Sequence, residues 1–312
     1  MTNSTKGYIL GAVAAISYGT NPLFAVPLYG LGMGVPSVLF YRYAFATLIL
    51  GVIMLIRKES FRLKFHEIPM MIGLGVLFAL SSALLFEAYR YMDVGLASTL
   101  LFVQPLFIAL MLWIFFRQRI SVMTIISIIL CLTGVAFLCN PGEGARVTAI
   151  GVIMVMLSAL SYAIYLVMIN KSRLHRLPGS TLTFYSLLFG IIVFVVQLDG
   201  GVELQAIPDE PLAWLCITGI SIVPTIISLM TVAISVHLVG SVAVSILGAL
   251  EPITGLLFGV ILFGEILTVR AAIGVVLIIG AVMVLVLANP IKHYSSSAYH
   301  RLTGSLHRYR HR

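Results

Sequence analysis

The chain is 312 residues long, with 60% hydrophobic and only 10% charged residues and a mean hydropathy of +1.10. No soluble domain has that composition, so the chain reads as an all-α integral membrane protein. Its formal charge of +8 does not mark a nucleic-acid partner, because no basic stretch is long enough to fold as a module of its own.

Apolar runs long enough to cross a hydrocarbon core predict ten transmembrane helices, at 7–29, 35–56, 68–91, 95–116, 120–139, 148–170, 179–198, 211–235, 239–263 and 268–289. The first run is too long for a secretory h-region and ends in no small-residue cleavage site, so no cleaved leader is expected. In helix 1, Pro22 has no N–H and leaves the carbonyl of Tyr18 without its usual donor, next to Asn21. Tyr18 and Asn21 are therefore candidates for a kinked gating helix, against a kink fixed by packing alone. Helix 2 buries Arg42 and helix 3 buries Glu87 at similar depth. Two readings stand: an ion pair tying the helices together, or an Arg42 that meets a substrate carboxylate while Glu87 competes for it.

Helix 4 carries Gln104-Pro105, with Gln104 ~14 Å from the end of its span, and helix 9 carries Glu251-Pro252, with Glu251 ~18 Å in. Both depths are near the midplane, where a polar group and a carbonyl freed by proline suit a wet cavity better than lipid. The alternative is a pair of groups that only tie helices together, Glu251 being protonated. Helix 6 aligns Ser158, Ser161, Tyr162 and Tyr165 on one face; helix 8 aligns Ser221, Thr225 and Ser228 beside Pro224. Small hydroxyl stripes usually serve close packing, but Tyr162, Tyr165, Thr225 and Ser228 are also candidates to line a binding site. Cys131, Cys139 and Cys216 lack metal-ligand spacing and read as buried thiols. No metal and no cofactor is expected. The tail 290–312, with Tyr299, Leu302, Leu306 and Tyr309 among Arg and His, reads as a basic cytoplasmic segment or a short helix on the anionic leaflet.

The segment QPLFIALMLWIFFRQRISV at 104–122 recurs as EPITGLLFGVILFGEILTV at 251–269, an offset of 147. At that offset Ser98 matches Ser245, Pro105 matches Pro252 and Phe116 matches Phe263, and a weaker echo pairs Ser17-Tyr18 with Ser161-Tyr162. The Gly/Pro-rich turn NPGEGARV separates the copies, 1–139 and 148–289, at five helices each. An odd count puts the second copy into the bilayer upside down, as two inverted five-helix repeats. Lys and Arg agree: Arg57, Lys58, Arg62, Lys64, Arg117, Arg119, Lys171, Arg173 and Arg176 fall on one side. Asp93, Glu143, Asp199, Glu203, Asp209, Glu210 and Glu265 fall on the other. Both termini are expected in the cytoplasm.

These motifs resemble the drug/metabolite transporter superfamily, in its EamA-type branch, from about Gly7 to Asn289. The second copy matches the family form in LFGEILTV and the first departs from it in FFRQRISV. The resemblance implies a secondary transporter of small organic solutes such as amino acids or metabolites, often an exporter, in a bacterial inner membrane. No nucleotide-binding loop is present, so the solute gradient or protons would drive it, with Glu251 the first proton carrier and Glu87 the second. A monomer or weak dimer is expected. The competing class is an intramembrane lipid-modifying enzyme or membrane scaffold; Ser221 with His237 is the nearest approach to a catalytic dyad, and its geometry is poor. No enzyme activity is expected.

Overall fold

The computed structural model describes residues 3–117, 122–139, 142–172, 174 and 177–288. The tail 290–312, and with it the surface helix considered there, lies outside them. Every regular element among the described residues is helical. Seven helical runs are long and apolar enough to cross a membrane: Asn3–Gly30, Val35–Ile56, Phe65–Ala88, Val94–Phe116, Ala149–Ile169, Gly179–Gln197 and Pro211–Val232. Three shorter apolar helices cover Val122–Leu138, Leu250–Phe263 and Val269–Val284.

Several of the runs are broken, and proline decides where. The first is two helices, α1 (Asn3–Gly19) and α2 (Asn21–Gly30), joined at Thr20 with Pro22 in the first turn of α2. The helices α3 (Val35–Ile56) and α4 (Ile68–Ala88) follow unbroken. The next run is α5 (Val94–Leu101) and α6 (Gln104–Phe116), with Pro105 in the first turn of α6. Sequence reasoning expected these prolines inside continuous helices. A proline ring clashes with the carbonyl four residues back, and a first turn has no such bond to lose, so the chain ends one helix and starts another.

The chain continues from α7 (Val122–Cys139), the last helix of the first half, through α8 (Ala149–Lys171) and α9 (Gly179–Gln197) to α10 (Pro211–Ser221). Pro224 sits in a π-helical stretch, Ile222–Ile227, that leads into α11 (Ser228–Leu247); α12 (Leu250–Phe263) and α13 (Val269–Ala288) close the bundle. A loop was expected at 236–238, but α11 runs through it. A side chain at Gly11 would meet both Ser235 and Leu247, at 2.7 and 2.6 Å. A straight helix would hold those residues about 18 Å apart, so the element folds back between them.

Helices pack as α1 on α11, α4 on α8, α3 on α9, α5 on α12 and α7 on α13. Direction can be read from close contacts. Gly51 faces Phe184 while Gly190 faces Tyr43, so α3 and α9 are antiparallel. Gly95 faces Leu256 while Ser98 faces Gly255, and Gly134 faces Ile278 while Leu138 faces Gly274, which makes the other two pairs antiparallel as well. Small residues allow these approaches: a Cβ on Gly134 would lie 2.9 Å from the carbonyl of Gly274. In a bilayer such backbone contact replaces the hydrophobic drive that folds soluble cores. The outer faces carry Leu48, Leu55, Ile129 and Val276, all exposed to the surroundings that lipid would fill.

Candidate functional site

The candidate residues sort among three cavities. The roomiest of these three, about 380 Å³, is lined by Tyr162, Tyr165, Thr225 and aliphatic side chains and reaches Arg57 and Glu59 at one end of the bundle. The second, about 140 Å³, is lined by Tyr18, Gln104, Tyr162, Ser228 and Glu251. Tyr162, Leu229 and Val232 line both, so the two are neighbours. A third, about 10 Å³, lies between Asn21, Tyr89, Ser98 and Glu251. The second cavity joins the copies: Tyr18 and Tyr162 are equivalent at an offset of 144, Gln104 and Glu251 at 147, and all four face it.

Two of the freed carbonyls have found a side-chain donor. The Asn21 amide donates to the Tyr18 carbonyl at 2.9 Å, replacing the N–H that Pro22 lacks. The Thr225 hydroxyl donates to the Ile220 carbonyl at 2.9 Å, as Pro224 cannot. Arg42 is 2% exposed. Its Nε donates to Thr225 Oγ1 at 2.9 Å, and its guanidinium carbon stands 5.2 Å from the Phe86 ring centre. The ion pair considered between Arg42 and Glu87 does not form: Glu87 pairs with Arg90, at 2.9 Å, one turn along its own chain. Arg42 is buried as expected, whereas Glu87 falls in the last turn of α4 with its side chain 28% exposed, and sequence depth says nothing about the direction a side chain takes around its helix. Glu87 lines none of the three cavities, and Arg42 reaches the largest only through Thr225.

Packing also fixes the aromatic wall. Tyr162 and Tyr165 stack with ring centres 5.6 Å apart, Phe78 lies 5.3 Å from Tyr165, and the Tyr165 hydroxyl meets Ser186 Oγ at 3.3 Å. Ser228 donates to the Ala14 carbonyl at 2.9 Å, so its role is partly to lock α11 onto α1. Two residues that line the smallest of these cavities were missed: Tyr89, and Ser98, whose donation to Val94 at 2.9 Å is the usual helical back-bond. Both sit in helix 3 to 4 sequence that reads as ordinary apolar run.

The end of the bundle opposite Arg57 is closed. Glu265, in the turn between α12 and α13, accepts from the backbone N–H groups of Val94 and Gly95 at 2.5 and 3.1 Å and so caps α5 across the copies. Beside it, Asp93 and Arg146 exchange hydrogen bonds, backbone N–H to carbonyl at 2.8 Å and backbone N–H to carboxylate at 2.9 Å. Burial pushes the Glu265 carboxyl up to about 7, against the pull of its two backbone donors. Among the described residues no group of three or more His, Cys, Asp or Glu gathers where it could hold a metal ion.

The fold is shared with a crystal structure at TM-score 0.65 and 19% identity, covering 91% of this chain and 97% of that one. A protein of Archaeoglobus fulgidus named an uncharacterized transporter is 28% identical over 216 residues, covering 69% of this chain and 75% of its own. Another uncharacterized transporter, from Clostridium kluyveri, is 24% identical across 88% of this chain and 91% of its own. The uncharacterized transporter YvbV of Bacillus subtilis is 28% identical over 176 residues, 54% of this chain and 55% of its own. The model of the EamA-like transporter family matches twice, at 5–140 and 149–287, and the chain belongs to that family.

Proposed function

We propose that the chain is a secondary transporter that moves a small organic solute, such as an amino acid or metabolite, by alternating access. In this reading two inverted five-helix units rock about the cavity that Tyr18, Tyr162, Gln104 and Glu251 share. That cavity carries the proposal, since a site lined by equivalent residues of both copies is presented alike to either side as the units tilt. Inversion is supported by direction: two pairs of equivalent helices, α3 with α9 and α7 with α13, run antiparallel. A two-fold axis along the membrane normal would make each pair parallel. Pairings across the copies also exchange consistently, Gly7 with Val239 answering Gly151 with Met92.

The positive-inside bias puts Arg57 and the open end in the cytoplasm of a bacterial inner membrane, with Glu265 closing the outer end. Such a conformation loads from inside, which favours export. Glu251 is the group through which a cation gradient would act, protons being the simplest case; Glu87, held by Arg90 away from the cavities, is not retained for that role. Counterflow in proteoliposomes tests the reading. Preloaded solute should accelerate uptake of labelled solute in wild type, and Glu251→Gln should abolish its response to an imposed gradient. Solute-specific counterflow missing across amino acids, nucleosides and sugars, with lipid turnover in its place, would replace the transporter with a lipid-modifying enzyme.

A further inference from the structure

The smallest cavity has a chemistry that the solute pathway does not use. Asn21 is 2% exposed, and its Oδ1 has no hydrogen-bond partner. Its orientation is not a matter of choice: the Nδ2 is needed by the Tyr18 carbonyl, and turning the amide over would set oxygen against oxygen. Oδ1 is thus an acceptor in a closed space. On the wall beside it, Ser98 spends its hydroxyl hydrogen on the Val94 carbonyl, and Tyr89 brings a further oxygen. Glu251 lines the same space and also the solute cavity next door.

We propose that the cavity of about 10 Å³ between Asn21, Tyr89 and Glu251 binds one sodium ion. Its volume admits one body the size of a water molecule. A water brings two hydrogens to these acceptors, whereas a hard monovalent cation takes oxygen ligands from Asn21, Tyr89 and Glu251 and balances the Glu251 carboxyl once it is ionised. No Lys or Arg lines the cavity to do so. Breaks in helices are where backbone oxygens become ligands, and two breaks border this cavity: Gly19 and Asn21 flank the one in helix 1, and Leu101 ends α5. Gly19 lets α12 come this close, since a Cβ there would stand 2.7 Å from the Glu251 carbonyl. The inference rests on the transporter reading only in its consequence, that filling this cavity changes the wall Glu251 presents to solute.

Binding is measured apart from transport. Purified protein in detergent is unfolded thermally in sodium chloride, potassium chloride or choline chloride at one pH and one ionic strength. Sodium well above its Kd should raise the midpoint by about 5 °C over choline, saturably, with potassium giving less than half of that. The sodium-specific rise should vanish in Glu251→Gln and in Asn21→Ala. Equal midpoints in the three salts for wild type, which is what a cavity holding only a water would give, overturn the site; so does a sodium-specific rise that persists undiminished in Glu251→Gln. If Asn21→Ala fails to fold, the wild-type salt comparison and Glu251→Gln still decide. Loss of counterflow with sodium stabilisation intact would count against the transport reading and leave the ion site standing.

Discussion

The two halves match one family model, yet they solve the same positions differently. Helix 1 breaks at Thr20 and turns Asn21 inward, while its counterpart α8 runs unbroken and carries Tyr165 at the place of Asn21. Helix 3 is regular, while its counterpart takes a π-helical stretch around Pro224. Gln104 faces Glu251. Irregular backbone and the ionisable group are thus spread unequally over a repeated frame. Duplication fixes where a cavity forms, and single residues fix what it holds.

The largest effect should come from Gly19, whose counterpart is the buried Ala163. A Cβ at Gly19 would lie 2.6 Å from Thr254 Cβ and 2.7 Å from the Glu251 carbonyl, while α8 accepts one at Ala163. Gly19→Val should cost about 3 kcal/mol of stability in detergent, against about 1 kcal/mol for Ala163→Gly. Equal costs in thermal unfolding would mean that the halves pack alike after all. Next comes Thr225. Thr225→Val leaves Arg42 Nε and the Ile220 carbonyl unpaired in the interior and should cost about 2 kcal/mol, with Thr225→Ser restoring most of it. If Thr225→Val unfolds like wild type, the bulged helix does not depend on that hydroxyl.

A transport comparison is finer. Tyr18 lines both the solute cavity and the small one, whereas Tyr162 lines the solute cavity and the large one. Tyr18→Phe should slow counterflow about tenfold, roughly 1.4 kcal/mol, and Tyr162→Phe about threefold. Equal losses would make the pathway as symmetric as the frame.

The sequence made the frame legible because membrane depth and proline are both strong signals. Depth marked Gln104 and Glu251, which with Tyr18 and Tyr162 line one cavity, and the freed Tyr18 and Ile220 carbonyls follow from Pro22 and Pro224 alone. What resisted reading was angular and long-range. Arg42 turns to Thr225, 183 residues away, instead of Glu87, because only the assembled bundle sets which neighbour lies on that side. Tyr89 and Ser98 were passed over because a hydroxyl in an apolar run gives no sign that it lines a cavity. Glu265 looked like a loop acid that marks topology, and nothing in LFGEILTV says that it caps a helix 170 residues earlier.

Glu265 also gives the smallest and sharpest test of asymmetry, since its counterpart in the first half is Gln118, a side chain of the same shape that cannot titrate. Its carboxyl is held up to about 7 by burial, above the usual 4.5. A raised value means that the latched state binds a proton more readily than the unlatched one between those limits. Stability from this group is therefore greatest below about pH 4.5 and declines as pH climbs to about 7, after which it is flat. The midpoint of wild type should fall across that window, while Glu265→Gln should follow a flatter line, separating by about 2 °C. Gln keeps one oxygen for the Val94 and Gly95 amides, so the cap itself survives and only its titration goes. Parallel pH profiles for the two proteins would mean that the outer closure is held without Glu265.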